Sequence, residues 1–247
     1  MNSPTGTTGF YGKFPSLGDF VSRRLATELI EPWDQWLQES LAASRAQLGD
    51  GWLDQYLTSP LWRFVLSPGV AGQRGWAGVL MPSVDRVGRY FPLTLAVPLP
   101  IGTNPCDLLS AADWFEQAEV LALSGLVDPF SLESFDAQVL ALGTPAAAAP
   151  TPCPPAGSGR SNAWHLGISH SGGLAGARDT LLAQALDQVF LAYSLWWSQG
   201  SDRVAPSLLA CQGLPPPEGF SALLSGDWAG HGWRQLDAGP TPGAPEV

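Results

Sequence analysis

Apolar residues first recur at helical spacing from position 33. Trp33, Trp36, Leu37 and Leu41 stand at i, i+3, i+4 and i+8 and make one face. Pro32 suits a first helical position, where its missing amide would have no partner anyway, and Gly49 and Gly51 supply a stop. The period then changes. LWRFVL (61–66), WAGVLM (76–81) and YFPLTLAVPL (90–99) are short runs rich in aromatic and β-branched residues. Short links containing Gly or Pro join them, SVDRVGR (83–89) being the last, so the pattern predicts an antiparallel meander. Helical spacing returns with Leu108, Ala111, Ala112, Phe115, Ala118 and Ala122. It returns again with Leu132, Phe135, Val139 and Leu142, behind Ser131 as an N-cap. Further on, AWHLGIS (163–169) reads as a strand. Residues 178–199 read as one helix with Leu181, Leu182, Ala185, Val189, Ala192 and Trp196 along one side. SLLACQ (207–212) reads as a last buried strand and GFSALLSGDW (219–228) as a short helix.

This order is not a regular βαβα alternation, so a doubly wound nucleotide fold is disfavoured. The expected fold is mixed α/β, of the α+β kind: a mostly antiparallel central sheet covered by helices, sandwich-like. Residues 1–142 form an N-terminal α/β region. GTPAAAAPTPCPPAGSGRSN (143–162) has the composition of a linker or long surface loop. Residues 163–237 form a C-terminal region packing on the same sheet, and 238–247 a disordered Gly/Pro-rich tail. No internal repeat is present.

Composition narrows the function. The chain has 247 residues, 45% hydrophobic and only 14% charged, enough to bury a large core. Its formal net charge of −10 argues against nucleic acid and anionic membranes as partners, since both select positive surfaces. No secretory signal or membrane-spanning run is present, so a cytoplasmic location is expected, without direct membrane insertion. Cys106, Cys153 and Cys211 are scattered, with no C-x-x-C pair, and read as free thiols.

Gly12-Lys13 is followed by Phe14-Pro15, where a phosphate loop needs a hydroxyl and free amides. The glycines Gly9, Gly12 and Gly18 instead suggest a turn using positive φ, with Phe10, Tyr11, Phe14 and Phe20 packed beneath. Gly167-Ile168-Ser169-His170-Ser171 lacks the final glycine of a hydrolase elbow. His165, His170 and His231 lack metal-ligand spacing. No catalytic residue, cofactor or metal is expected, and the chain reads as a binding protein rather than an enzyme. Asp85, Arg86 and Arg89 read either as an ion-paired turn or as an arginine-bearing interaction edge. Trp196 and Trp197, placed on a helix, would point about 100° apart. That would require two covering layers or one exposed ring.

Three segments carry a family resemblance: GFYGKFPSLGDFV (9–21), GVLMPSVDRVGRYFPLTLA (78–96) and SLWWSQGSDRVAPSLLACQGLPPPEGFSALLSGDW (194–228). They resemble the TagF family, also called ImpM, of type VI secretion accessory proteins, and the likeness spans most of residues 9–228. The resemblance implies a post-translational repressor of the secretion machine that acts by protein–protein contact. The forkhead-associated scaffold protein is the expected partner. The motif positions it marks are Gly9, Lys13, Ser16, Gly18 and Asp19; Asp85, Arg86 and Arg89; and Ser201, Asp202 and Arg203. A surface carrying Lys13, Asp19, Arg86 and Arg89 would dock and sequester the partner. Two alternatives stay open: a nucleotide- or small-ligand-responsive switch or enzyme using the Gly-Lys segment with Asp19, and a structural component of the machine. Oligomeric state and the binding face are left open.

Overall fold

A computed structural model describes residues 6–146 and 173–236. Seven strands form one sheet: β1 (Gly9–Gly12), β2 (Val21–Arg23), β3 (Trp62–Leu66), β4 (Trp76–Met81), β5 (Leu93–Pro98), β6 (Tyr193–Ser198) and β7 (Ser207–Gln212). Their order across the sheet is β2-β1-β5-β4-β3-β6-β7, and every neighbouring pair is antiparallel. The fold is thus mixed α/β with an antiparallel sheet.

Helices cover both faces. On one face lie α1 (Thr27–Leu48), α2 (Trp52–Thr58) and α6 (Phe220–Ser225). Trp33 of α1 stacks on Trp196 of β6 at 5.8 Å and donates its indole N–H to Thr94 of β5 at 2.9 Å. A buried Trp is thereby satisfied at its one polar atom. On the other face lie α3 (Ala112–Ser124), α4 (Leu132–Ala141) and α5 (Gly173–Phe190). Here Phe115 meets Trp197 edge-to-face at 4.7 Å, and Phe10, Phe14 and Phe135 pack together. Buried on both faces, the inner strands read as unbroken apolar runs, which is how the meander β3–β4–β5 announces itself in the sequence. Ser131 accepts from the Ser134 amide and caps α4.

Several expectations need correction. Helix α1 begins at Thr27, so Pro32 lies inside its second turn rather than at its start. The helix expected over 178–199 ends at Phe190; Leu191 takes φ 63°, a left-handed conformation that stops a helix, and β6 follows. Trp196 and Trp197 therefore sit on a strand and point to opposite faces, where each finds a helical layer. The segment 207–212 is a strand, but it is the sheet edge, and Leu208 is 59% exposed rather than buried. Finally, of Gly9, Gly12 and Gly18 only Gly12 has positive φ. A Cβ on Gly12 would stand 2.2 Å from the Pro92 carbonyl oxygen, so β1 and the start of β5 pass too closely for any side chain. Phe20 is not beneath the turn but 47% exposed. The strand expected at 163–169, the Gly167–Ser171 segment, His165, His170, the tail from 238 and most of 143–162 lie outside the described residues.

Candidate functional site: the loop end of the sheet

The strand directions bring all three motif segments to one end of the sheet. β1, β4 and β6 finish there, at Gly12, Met81 and Ser198; β2, β5, β3 and β7 begin there, at Val21, Leu93, Trp62 and Ser207. The 13–20, 82–92 and 199–206 loops consequently project from the same rim.

Asp85 organises the first two. Its carboxylate accepts from the Lys13 ammonium at 2.9 Å and the Arg89 Nε at 2.6 Å. It also accepts from the backbone amides of Val87 at 3.0 Å and Arg89 at 2.9 Å. Burial alone would raise the Asp85 carboxyl. The donations from the Arg89 amide, Lys13, the Arg89 guanidinium and the Val87 amide outweigh it and hold the group well below the ordinary carboxylate range. The turn is clamped to its neighbours as well: Arg86 N–H donates to Leu17 O at 2.9 Å, and Arg89 donates to Gly18 O. Ser83 Oγ donates to Lys13 O at 2.7 Å, and the Tyr56 hydroxyl of α2 donates to Ser83 O at 2.9 Å.

Of the residues marked in the sequence, Lys13 is only 4% exposed. Its ammonium is spent on Asp85 and on the face of Phe20, 4.7 Å from the ring centroid. Lys13 therefore cannot form part of a docking surface, contrary to the expectation. A phosphate at Lys13 would have to strip the ammonium from a buried carboxylate, and that disfavours the nucleotide-switch alternative. Asp19 is fully exposed and, among the described residues, pairs only with Arg89, at 3.9 Å. Gly9 lies in β1, at the opposite end of that strand, where a Cβ would collide with the Arg23 carbonyl oxygen. Ser16 and Gly18 are half-buried in the 13–20 loop. Arg86 is exposed, its guanidinium against Gly18, and among the described residues its side chain makes no ion pair or hydrogen bond.

The third segment makes its own turn. Ser201 N–H donates to Val204 O at 2.8 Å, Asp202 is exposed, and Arg203 pairs with Asp54 of α2. Tyr56 and Asp54 were not marked in the sequence, yet α2 is the element that ties the 82–92 and 199–206 loops together. Their only sequence sign was polar or aromatic side chains at i and i+2 in a short helix. The rim that results has a rigid, hydrogen-bonded base and three exposed arginines, Arg86, Arg89 and Arg203. Among the described residues no three His, Cys, Asp or Glu side chains are grouped to hold a metal.

The family model of the TagF N-terminal domain, described as type VI secretion system-associated, matches residues 9–142. The chain belongs to the TagF family. The TagF match takes in β1 to β5, α1 to α4 and the whole Lys13–Asp85–Arg89 cluster. Beyond it, the chain is similar to the crystal structure of PA0076 from Pseudomonas aeruginosa PAO1, with 39% identity and a TM-score of 0.74. That likeness covers 97% of this chain and 100% of that one. It therefore extends through β6, β7 and α6. A comparison with curated proteins gives no match. As a TagF-family member the chain is type VI secretion system-associated. No helix among its described residues is long and apolar enough to cross a membrane.

Proposed function

We propose that this TagF-family chain is a post-translational repressor of type VI secretion that works by binding, not by catalysis. It acts in the cytoplasm and sequesters an apparatus component, the forkhead-associated scaffold protein being the expected one. The observation that carries the reading is the loop end of the sheet. Three exposed arginines stand on loops whose backbones are fixed by buried hydrogen bonds, in a chain with only twelve basic residues. Arginine is enriched at interface hot spots, and a pre-organised loop loses little entropy on docking. Arg86 is the strongest contact candidate because nothing within the described residues engages its guanidinium. Arg89 has a second duty in holding Asp85, so its removal would disturb the turn itself.

The test is repression in cells. Overproduction of the wild-type chain should shut down secretion activity, and deletion should release it. Arg86→Glu combined with Arg203→Glu should lose repression while the melting temperature changes little, because the Arg86 side chain has no partner among the described residues and the Arg203–Asp54 pair is exposed, where such a pair contributes little. Full repression by that variant would overturn the reading.

A further inference from the structure

Away from the loop end, α3 and α4 form a hairpin with a groove of ≈ 590 Å³ between them, lined in part by Asp113, Glu116, Val120, Leu121, Ala141 and Leu142. Along α3, Asp113, Glu116, Val120 and Leu123 stand at i, i+3, i+7 and i+10, which is a single stripe. Its acidic half is near the start of the helix and its apolar half near the end. Val120 is 67% exposed, and Leu123 of α3 and Leu140 of α4 are exposed as well. Apolar side chains next to carboxylates, on a surface otherwise poor in charge, mark a binding face more than a solvated one.

The charge is uncompensated. Among the described residues neither Asp113 nor Glu116 has an ion-pair partner. Arg63, the cation that feels the Glu116 charge, gives both arms of its guanidinium to Glu119, at 2.8 and 2.7 Å. The helix dipole accounts for Asp113 in the first turn but does little for Glu116 one turn further in. The whole chain carries the same sign, at −10.

We propose that the α3–α4 groove docks an amphipathic α-helix of a partner protein, one that presents Lys or Arg beside an apolar stripe. From Asp113 to Val120 the α3 axis runs about 10 Å at about 1.5 Å per residue. A partner helix of about two to three turns fits, its apolar anchors at i, i+3 or i+4, and i+7 seated on Val120, Leu121 and Ala141. Its cations would meet Asp113 and Glu116 and set the polarity of docking.

The experiment titrates a synthetic Leu–Lys helix of about 14 residues into the isotope-labelled full-length chain and follows backbone amide shifts. The expected result is saturable binding with shifts confined to α3 and α4. Binding should weaken about tenfold or more in Glu116→Lys with Val120→Glu, a change at two exposed positions that leaves the remaining spectrum unchanged. A Leu–Glu helix of the same pattern should not bind. Absence of binding, shifts spread over other faces, equal binding by the Leu–Glu helix, or an unaffected double variant would each overturn the proposal. The Arg86→Glu, Arg203→Glu variant should leave this titration unchanged, so that the two sites stand or fall separately.

Discussion

The Lys13 ammonium lies 2.9 Å from a carboxylate oxygen of Asp85, a residue 72 positions away in the chain, and both side chains are buried. The bond crosses from the end of β1 to the turn after β4 and joins two of the segments that carry the family likeness. Arg89, four residues on from Asp85, completes the triad from the solvent side at 2.6 Å.

Asp85 makes stability depend on acid pH. Its folded pKa lies below the unfolded value, so the contribution is fully present above about pH 4. It is lost as pH falls through the folded value. Asp85→Asn should therefore lower the melting temperature at pH 7 and remove part of the acid sensitivity. Thermal unfolding of both proteins between about pH 7 and pH 3 checks this, and the gap between the two curves should narrow toward the acid end without closing, because the folded value lies below that window.

Gly12 should not tolerate a side chain. Gly12→Ala meets both φ 141° and the Pro92 carbonyl oxygen, a contact backbone cannot relieve cheaply. The expected cost exceeds about 1 kcal/mol, read by denaturant unfolding. Gly88→Ala, also at positive φ but with open space around it, should cost less.

The tryptophan pair should separate by face. Trp196 is fully buried between Trp33, Trp36 and Phe64, so Trp196→Ala should cost about 3–5 kcal/mol. Trp197 is partly exposed and leans on Phe115, so Trp197→Ala should cost about 1–2 kcal/mol. Chemical denaturation of the two variants measures the difference.

Cys211 should alkylate slowly. Burial pushes its thiol up to about 11, against a hydrogen bond with Ser194 that pulls the other way. At pH 8 little thiolate is present, so iodoacetamide labelling of Cys211 should accelerate sharply on unfolding. Mass mapping of native and denatured protein reads this directly.

The meander and the two helices after it were legible because their apolar runs have one clear period each and are punctuated by Gly, Pro or a capping serine. Residues 191–198 were not. A strand buried on both faces shows no alternation, so Tyr193, Trp196 and Trp197 blend into the helical spacing of α5, and the break falls on a leucine, which carries no turn signal. The Lys13–Asp85 bond was equally hidden. Sequence showed two charged residues in two Gly-rich turns, but only the antiparallel order β1-β5-β4 puts those turns at the same end of the sheet. That same ordering changed one expected role: Lys13 became part of the scaffold, while Arg86 keeps an exposed side chain that no described residue engages.

The claim that the loop end is a docking surface is tested most directly by calorimetric titration of the purified forkhead-associated scaffold protein into this chain. The account predicts saturable binding that Arg86→Glu with Arg203→Glu weakens at least about tenfold, with little change in melting temperature. Saturable binding that is unchanged in that variant, or no binding to the scaffold protein at all, would contradict it.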